Sequence, residues 1–346
     1  MKHLCSLLLL SVIGCASAPD PSTPDDSFAP AQGVYVLNEG LWGQSNASLS
    51  LFDPVSQVVQ QNVFSAANGR SLGDVANFIV VHEQLAFIVL NGSDKIEVIE
   101  TDTQKSRGTI ILAGGLSPRQ IALANDSVAL VTNLYDASVS IINLKTFAEV
   151  HRLAVGANPE GITVASGTAF VANSGLGSGR SVSMIDLGTL SPAGTLDVGD
   201  NPSDIVTFDE VHVAVLCAGA YGDFQDPNDV TPARLMIIDA LQQRVVDSLV
   251  IGDHAFRMAT DGIGIVYIAG ANAVFRVDTR LPLSREFFVG GVYYGIGVDT
   301  ATGDVYVSDA RSFTVPGEVR MFTSAGVDKG RFDAGLIPGR FAFPRQ

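Results

Sequence analysis

One motif repeats along this chain at a spacing of about forty residues, and it limits the folds that the chain can adopt. The copies are SPRQI at residues 117–121, NPEGI at 158–162 and NPSDI at 201–205, so their prolines lie 41 and 43 residues apart. Three more short apolar runs separate the first two copies. Each repeat therefore holds four strands and leaves no room for a helix longer than one turn. A fixed period of this length with four strands predicts a blade of a β-propeller.

The number of blades follows from the second strand of each repeat, which alternates apolar and small or polar residues with the period of a half-buried strand. Seven copies occur, at residues 33–38, 86–91, 129–133, 169–173, 211–216, 265–269 and 304–308. The first copy has no inner strand before it, whereas GRFAF at residues 339–343 stands at the opposite end of the chain without a blade of its own. We therefore predict an all-β, seven-bladed β-propeller of four-stranded blades, closed by pairing of the C-terminal strand beside residues 33–38.

The N-terminus has the pattern of a processing signal rather than of a folded element. Lys2 and His3 precede an apolar run at residues 4–13, which is too short to span a bilayer as a mature helix. The run ends in VIGC, which resembles a bacterial lipobox with Cys15 as the lipidated residue. We interpret residues 1–15 as a lipoprotein signal peptide. The alternative is an ordinary signal peptide cut after Ala16 or Ala18.

Residues 16–32 contain four prolines together with Ser, Thr and Asp, which predicts a flexible tether before a propeller at residues 33–346. Because Ala16 rather than Asp follows Cys15, the resemblance to lipobox signals implies the outer membrane or the cell surface, with a periplasmic orientation also open. The membrane would be reached through the lipid anchor only. If Cys5 is removed and Cys15 is acylated, Cys217 is left without a partner for an intrachain disulfide.

Charge and motifs exclude several classes of function. The formal net charge is −15, and such an acidic surface repels phosphate backbones, so nucleic acid is not an expected partner. The five histidines form no metal-ligand pattern, and the glycine-rich segment at 174–179 precedes a strand instead of the helix that a phosphate cradle needs. The sequence also has no Gly-x-Ser-x-Gly nucleophile elbow. We predict no catalytic residue, no metal and no cofactor.

The repeats resemble a known family. NPEGI at 158–162 followed by AFVAN at 169–173 is similar to the YVTN-repeat, YncE-like seven-bladed propellers. VLNEG at 36–40, NASLS at 46–50 and LGDVA at 72–76 resemble a branch found in lipoproteins of Bacteroidota. That branch includes surface lipoproteins that capture cobalamin and deliver it to an outer-membrane transporter. The resemblance implies such a ligand and such a partner, but no ligand-contact residue is transferred from it.

The candidate binding residues come from topology. In a four-stranded blade, the loop that enters the inner strand and the loop between the second and third strands open on the same face. Aromatic side chains in such loops, with a few arginines, make a plausible surface for a planar, amphipathic ligand. The candidates are Trp42, Arg119, Tyr135, Tyr221, Phe224, Arg257, Tyr293 and Tyr294.

The sequence thus predicts a lipid-anchored cell-envelope protein that binds a small molecule, with cobalamin or a related corrinoid as the specific candidate. Two other readings stay open at this point. One is a lactonase- or lyase-like propeller enzyme, and the other is a structural or protein-binding surface module. The aromatic rings could also cap the core beneath long loops.

Overall fold

The computed structural model describes residues 33–112, 114–221, 230–280 and 282–344. The predicted signal peptide, Cys15 and the tether at 16–32 therefore lie outside the described residues. Within the described ranges the chain forms seven antiparallel four-stranded sheets, which confirms the predicted all-β propeller.

The blades follow one another along the chain, and their strands are as follows. Blade 1 contains β1 (Val34–Asn38), β2 (Ser48–Asp53) and β3 (Val58–Gln60); blade 2 contains β4 (Ala76–His82), β5 (Leu85–Leu90), β6 (Lys95–Glu100) and β7 (Ser106–Ile111). Blade 3 contains β8 (Pro118–Asn125), β9 (Val128–Asn133), β10 (Ser138–Asn143) and β11 (Ala148–Ala154); blade 4 contains β12 (Pro159–Ala165), β13 (Thr168–Asn173), β14 (Ser181–Asp186) and β15 (Ser191–Asp197). Blade 5 contains β16 (Pro202–Thr207), β17 (His212–Cys217), β18 (Ala233–Asp239) and β19 (Arg244–Gly252); blade 6 contains β20 (Ala255–Thr260), β21 (Ile265–Gly270), β22 (Ala273–Asp278) and β23 (Arg285–Gly290). Blade 7 contains β24 (Gly295–Asp299), β25 (Asp304–Asp309), β26 (Pro316–Phe322) and β27 (Asp328–Leu336), and the last strand is β28 (Pro338–Ala342).

The last strand closes the ring. β28 pairs antiparallel with β1, with Ala342 opposite Tyr35 and Arg340 opposite Leu37, so the order in blade 1 is β28-β1-β2-β3. The innermost strands β4, β8, β12, β16, β20, β24 and β28 contact one another all the way round, including β28 against β4. The predicted closure by the C-terminal strand is confirmed, and β28 supplies the inner strand that blade 1 would otherwise lack.

The core is divided into seven apolar clusters, one between each pair of neighbouring blades. The cluster at the closure contains Val36 and Phe52 of blade 1 with Tyr306 and Met321 of blade 7, all buried. Both faces of each second strand pack against a neighbouring blade, which explains why these strands are almost entirely apolar. Cys217 is one of these buried residues, at the end of β17.

A repeated polar contact fixes the end of several second strands at the loop face. Asn133 donates from Nδ2 to the hydroxyl oxygens of Ser138 and Ser140, at 3.0 and 2.8 Å. Asn38 in blade 1 and Asn173 in blade 4 make the same pair of contacts to two serines of their third strands. The asparagines that mark the sequence repeats therefore join two strands where the chain enters the loop.

One helix departs from the expectation of strands alone. The six-residue helix α1 (Val63–Asn68) lies in the connection between blades 1 and 2, and it buries Val63 and Phe64 in the cluster between those blades. It lies outside the repeats whose spacing excluded a long helix. No helix of the described chain is long and apolar enough to cross a membrane.

Candidate functional site

The loop face carries an open cup of about 630 Å³. Its walls come from blades 3 to 7, and both predicted sets of loops contribute to it: Arg119, Glu160, Ser203 and Arg257 enter inner strands, whereas Leu176, Tyr221 and Phe313 follow second strands. The two sets therefore do open on one side of the ring. A volume of this size is typical of pockets that hold a small organic molecule.

The proline motifs position the charged side chains at the floor of the cup. Pro118 and Pro159 each begin an inner strand, and the strand register shifts directly after each proline. Such a bulge leaves the next residue out of the regular ladder and redirects its side chain. That residue is Arg119 in blade 3 and Glu160 in blade 4, so equivalent positions of two repeats carry opposite charges.

Arg119 links three blades. Its Nε donates a 2.6 Å hydrogen bond to Glu160 Oε2, and its Nη1 donates at 3.0 Å to Asn77 Oδ1 of blade 2. The side chains of Arg119 and Glu160 are about one-fifth exposed. A charge-assisted bond between partly buried groups holds both side chains in one orientation.

A second polar group joins blades 1, 6 and 7. Glu39 follows β1, is buried, and accepts from the hydroxyl of Tyr294 at 2.9 Å and from Arg257 Nη2 at 3.5 Å. Burial opposes the charge of Arg257, but the neighbouring carboxylates of Glu39 and Asp204 favour it, and the pKa of Arg257 is raised. Burial also raises the pKa of Tyr294, with a further contribution from Glu39. Arg257 is thus a fixed cation beside a neutral phenol.

Below the cup, a buried pair fills the centre of the ring. Arg340 of β28 donates from Nη2 and Nη1 to the two carboxylate oxygens of Asp204, at 3.2 and 3.3 Å, and Gln120 Nε2 donates to Asp204 Oδ1 at 3.1 Å. Burial opposes ionisation of Asp204, but Arg340 and Arg257 outweigh it and the pKa of Asp204 is lowered. These side chains span the ring axis, so they form the layer on which the cup rests.

The apolar part of the cup is aromatic. Tyr221 stacks on His254 with ring centroids 4.3 Å apart, and Phe313 meets Tyr294 edge to face at 5.3 Å. Tyr293 is nearly fully buried, and its hydroxyl donates to the carbonyl of Gly290. Tyr293 therefore serves mainly as a wall of the cup and a part of the core between blades 6 and 7.

The predicted site residues fall into three groups. Five of them line the cup: Arg119, Tyr221, Arg257, Tyr293 and Tyr294. Trp42 and Tyr135 lie in loops of the same face but do not line the cup, and both are more than 60% exposed, at 67% and 62%. Phe224 lies outside the described residues. Contact of Trp42, Tyr135 and Phe224 with a ligand stays a prediction.

The sequence reasoning missed the acidic half of the site. Glu39 and Glu160 take part in every ion pair at the cup floor described above. Glu160 could have been inferred from the repeat, since it occupies the same place after proline as Arg119. No repeated position marks Glu39 in the sequence, and its partners Arg257 and Tyr294 lie 218 and 255 residues away along the chain.

The side chains of the cup offer hydrogen-bond donors and aromatic rings rather than metal ligands. Among the residues that the structure describes, no group of three His, Cys, Asp or Glu side chains is placed to hold a metal ion. The cup presents arginine N–H donors whose charges are balanced by Glu39 and Glu160, and flat aromatic rings lie beside them. This combination suits an amphipathic molecule with hydrogen-bond acceptors at one end.

Solved structures with this fold include proteins of different kinds. Hydrazine synthase of Kuenenia stuttgartiensis is 17% identical with a TM-score of 0.66, covering 77% of this chain and 89% of its own. A quinonprotein alcohol dehydrogenase-like protein of Bacteroides thetaiotaomicron is 12% identical with a TM-score of 0.68, covering 92% of this chain and 79% of its own. At these identities the similarity shows a shared fold alone.

No curated protein matches the chain significantly. A family model described as "Domain of unknown function (DUF5074)" matches residues 32–210, which is more than half of the chain. The matched segment contains blades 1 to 4 apart from β28, together with Glu39, Arg119 and Glu160 of the cup. The chain therefore belongs to the DUF5074 family.

Proposed function

We propose that this protein is a non-catalytic binding protein of the cell envelope, which captures an amphipathic small molecule in the cup of its propeller. The observation that carries the proposal is Arg257, whose side chain is only 14% exposed. It lines the cup, and within the described residues its guanidinium makes a single hydrogen bond, at 3.5 Å to Glu39. A guanidinium has five N–H donors, so donors remain for a ligand.

The specific candidate is cobalamin or a related corrinoid, passed on to an outer-membrane transporter. It is supported by the resemblance of the first blade to cobalamin-capturing lipoproteins and by aromatic rings beside hydrogen-bond donors. The open mouth of the cup allows a ligand larger than the cup itself to project onto the loop face. Trp42 and Tyr135 on that face are then available for additional contacts.

Calorimetry tests this candidate directly. Full-length protein in mild detergent is titrated with cyanocobalamin and with cobinamide, which share the corrin ring. Saturable heat that disappears in a variant with Arg257→Met supports the cup as the corrinoid site. An absence of heat at tens of micromolar would reject the corrinoid while leaving other small molecules to be tried.

The envelope location rests on the lipobox resemblance at Cys15. We expect Cys15→Ala to abolish incorporation of labelled fatty acid and to release the protein from the membrane fraction. Unchanged membrane association of the variant, together with no label on the wild type, would contradict lipid anchoring. That outcome would not affect the cup.

An enzyme of the lactonase or lyase type is the alternative with a specific observation behind it. Tyr294 and two carboxylates meet in one cup, and such groups can transfer protons. Against this, Glu39 and Glu160 already accept hydrogen bonds from arginines, which suits a fixed scaffold better than a proton carrier. Turnover of lactone or uronate substrates that is lost in Tyr294→Phe would favour the enzyme.

A further inference from the structure

We infer that the ligand of the cup is uncharged and rich in hydrogen-bond acceptors, as an amide is, rather than a carboxylate or phosphate. The inference rests on the proposed binding function and narrows it to a chemical class. Two features of the cup, one of hydrogen bonding and one of charge, lead to it independently.

The first feature is a surplus of donors. Glu39 uses both carboxylate oxygens, one for Tyr294 and one for Arg257. Arg119 donates through Nε and Nη1, and its Nη2 has no hydrogen-bond partner among the described residues. The cup therefore offers N–H donors from Arg119 and Arg257 to a ligand. Ligand oxygens that accept would meet these donors.

The second feature is the charge balance, which decides between acceptor types. Three arginines, Arg119, Arg257 and Arg311, line the cup. Each of them is ion-paired: Arg119 with Glu160, Arg257 with Glu39, and Arg311 with Asp333 and Glu318. Asp309 adds one more carboxylate to the lining. The cup therefore has no excess of positive charge, and the pair of Asp204 and Arg340 beneath adds none.

An added anion would therefore be uncompensated. The side chains of Arg257 and Glu39 are only 14% and 8% exposed, so solvent screens the floor weakly. A carboxylate that enters this site loses its hydration without meeting an unpaired cation, which is unfavourable. The overall net charge of −15 adds a long-range repulsion of anions. A carbonyl oxygen accepts from the same donors without these costs.

Matched amide and acid probes test the inference. Indole-3-acetamide with indole-3-acetate, and nicotinamide with nicotinate, differ in charge but hardly in shape. We expect the full-length protein to bind the amide of each pair at least tenfold more tightly, measured by ligand-observed NMR titration at neutral pH. Arg257→Met should remove binding of the amides.

A charge change in the cup provides the internal control. Glu160→Gln keeps the shape of the side chain and gives the floor one unpaired positive charge, so the preference for the amide should fall at least tenfold. Asp126→Asn makes the same change of charge at the end of β8 remote from the cup, where Asp126 is 83% exposed, and should leave the preference unaltered. Thermal melting confirms that each variant is folded.

The outcomes separate the two proposals. Two results would overturn the uncharged class of ligand: tighter binding of the acids to the wild type, or an amide preference that is the same in Glu160→Gln as in the wild type. Either result would still be consistent with binding of a small molecule in the cup. No binding of either member of either pair at several millimolar would reject both the class and the cup as a site for planar molecules.

Discussion

The hydroxyl of Tyr294 donates a 2.9 Å hydrogen bond to Glu39 across 255 residues of sequence. This bond joins blade 7 to the loop that follows β1. Glu39 also lies against Gly339 of the closing strand, where an added Cβ would be 2.5 Å from Glu39 Oε1. The closure of the ring and the floor of the cup are therefore built around the same carboxylate.

Gly339→Val should damage both features together. The new side chain would displace Glu39 from Tyr294 and Arg257, and overpacking of a buried site typically costs about 1–3 kcal/mol. We expect a loss of this size in denaturant unfolding and weaker binding to the cup. Gly114→Ala is the control, since nothing lies within 4 Å of the added Cβ there. Equal stability of Gly339→Val and the wild type would show that Glu39 tolerates displacement.

Removal of the closing strand should have a larger effect. Deletion of residues 339–346 removes all but the first residue of β28 and takes Phe343 from the cluster between blades 7 and 1. Because β1 then loses its inner neighbour, we expect a chain without a cooperative melting transition by circular dichroism. Deletion of residues 345–346 alone should leave the transition intact. A normal transition in the longer deletion would contradict closure by β28.

Much of this fold was predictable because local patterns determine it. The prolines at 118, 159 and 202 begin inner strands, and the apolar second strands are packed on both faces as their sequences indicate. Helix α1 was not predictable in this way. It has only six residues, and its N-cap residue Asn62 has a left-handed backbone and no side-chain capping bond, so it shows neither a periodic stripe nor a capping signal.

The site was predictable only in part, because loop topology places residues on a face without fixing how near they come to one another. Loop topology placed Arg119, Arg257 and Tyr294 on one face, and the structure brings them to one cup. Loop topology could not show that Trp42 and Tyr135, which lie on the same face, do not line the cup. Pairing of charges across the ring, as between Asp204 and Arg340, depends on three-dimensional closure that no local pattern encodes.

The pair of Asp204 and Arg340 yields a stability prediction. Arg340→Met removes the cation that is hydrogen-bonded to Asp204 and leaves the buried carboxylate with one amide partner, one backbone partner and the nearby charge of Arg257. Removing one partner of a buried ion pair typically costs about 3–5 kcal/mol, and Arg257 should keep the loss toward the lower value. Adding Asp204→Leu to Arg340→Met should recover part of that loss. Chemical denaturation measures both. A double variant no more stable than Arg340→Met would show that the carboxylate is not the source of the cost.

The same carboxylate predicts how stability depends on pH. The pKa of Asp204 is lowered in the folded protein. A lowered folded pKa stabilises the protein at pH values above the unfolded pKa of about 3.9, and the contribution is lost as the pH falls through the folded value. The difference in unfolding free energy between wild type and Asp204→Asn should therefore be largest near neutrality and shrink below about pH 4. A difference that stays constant down to pH 2 would contradict a lowered pKa.

Ligand binding should distinguish the cup from the rest of the loop face. Arg257→Met with Tyr294→Phe removes a buried donor group and the hydroxyl that joins Glu39, whereas Trp42→Ala with Tyr135→Ala removes two exposed rings outside the cup. In titrations with cyanocobalamin or indole-3-acetamide, we expect Arg257→Met with Tyr294→Phe to weaken binding at least tenfold, or about 1.4 kcal/mol.

The outer pair, Trp42→Ala with Tyr135→Ala, should act differently on the two ligands. For indole-3-acetamide, which is small enough for the cup, this second pair should change affinity less than threefold. Cyanocobalamin extends beyond the cup, so each exposed ring that packs on it would contribute on the order of 1 kcal/mol. If the second pair alone weakens both ligands, the binding surface is the outer loop face, and the cup is a structural feature of the ring.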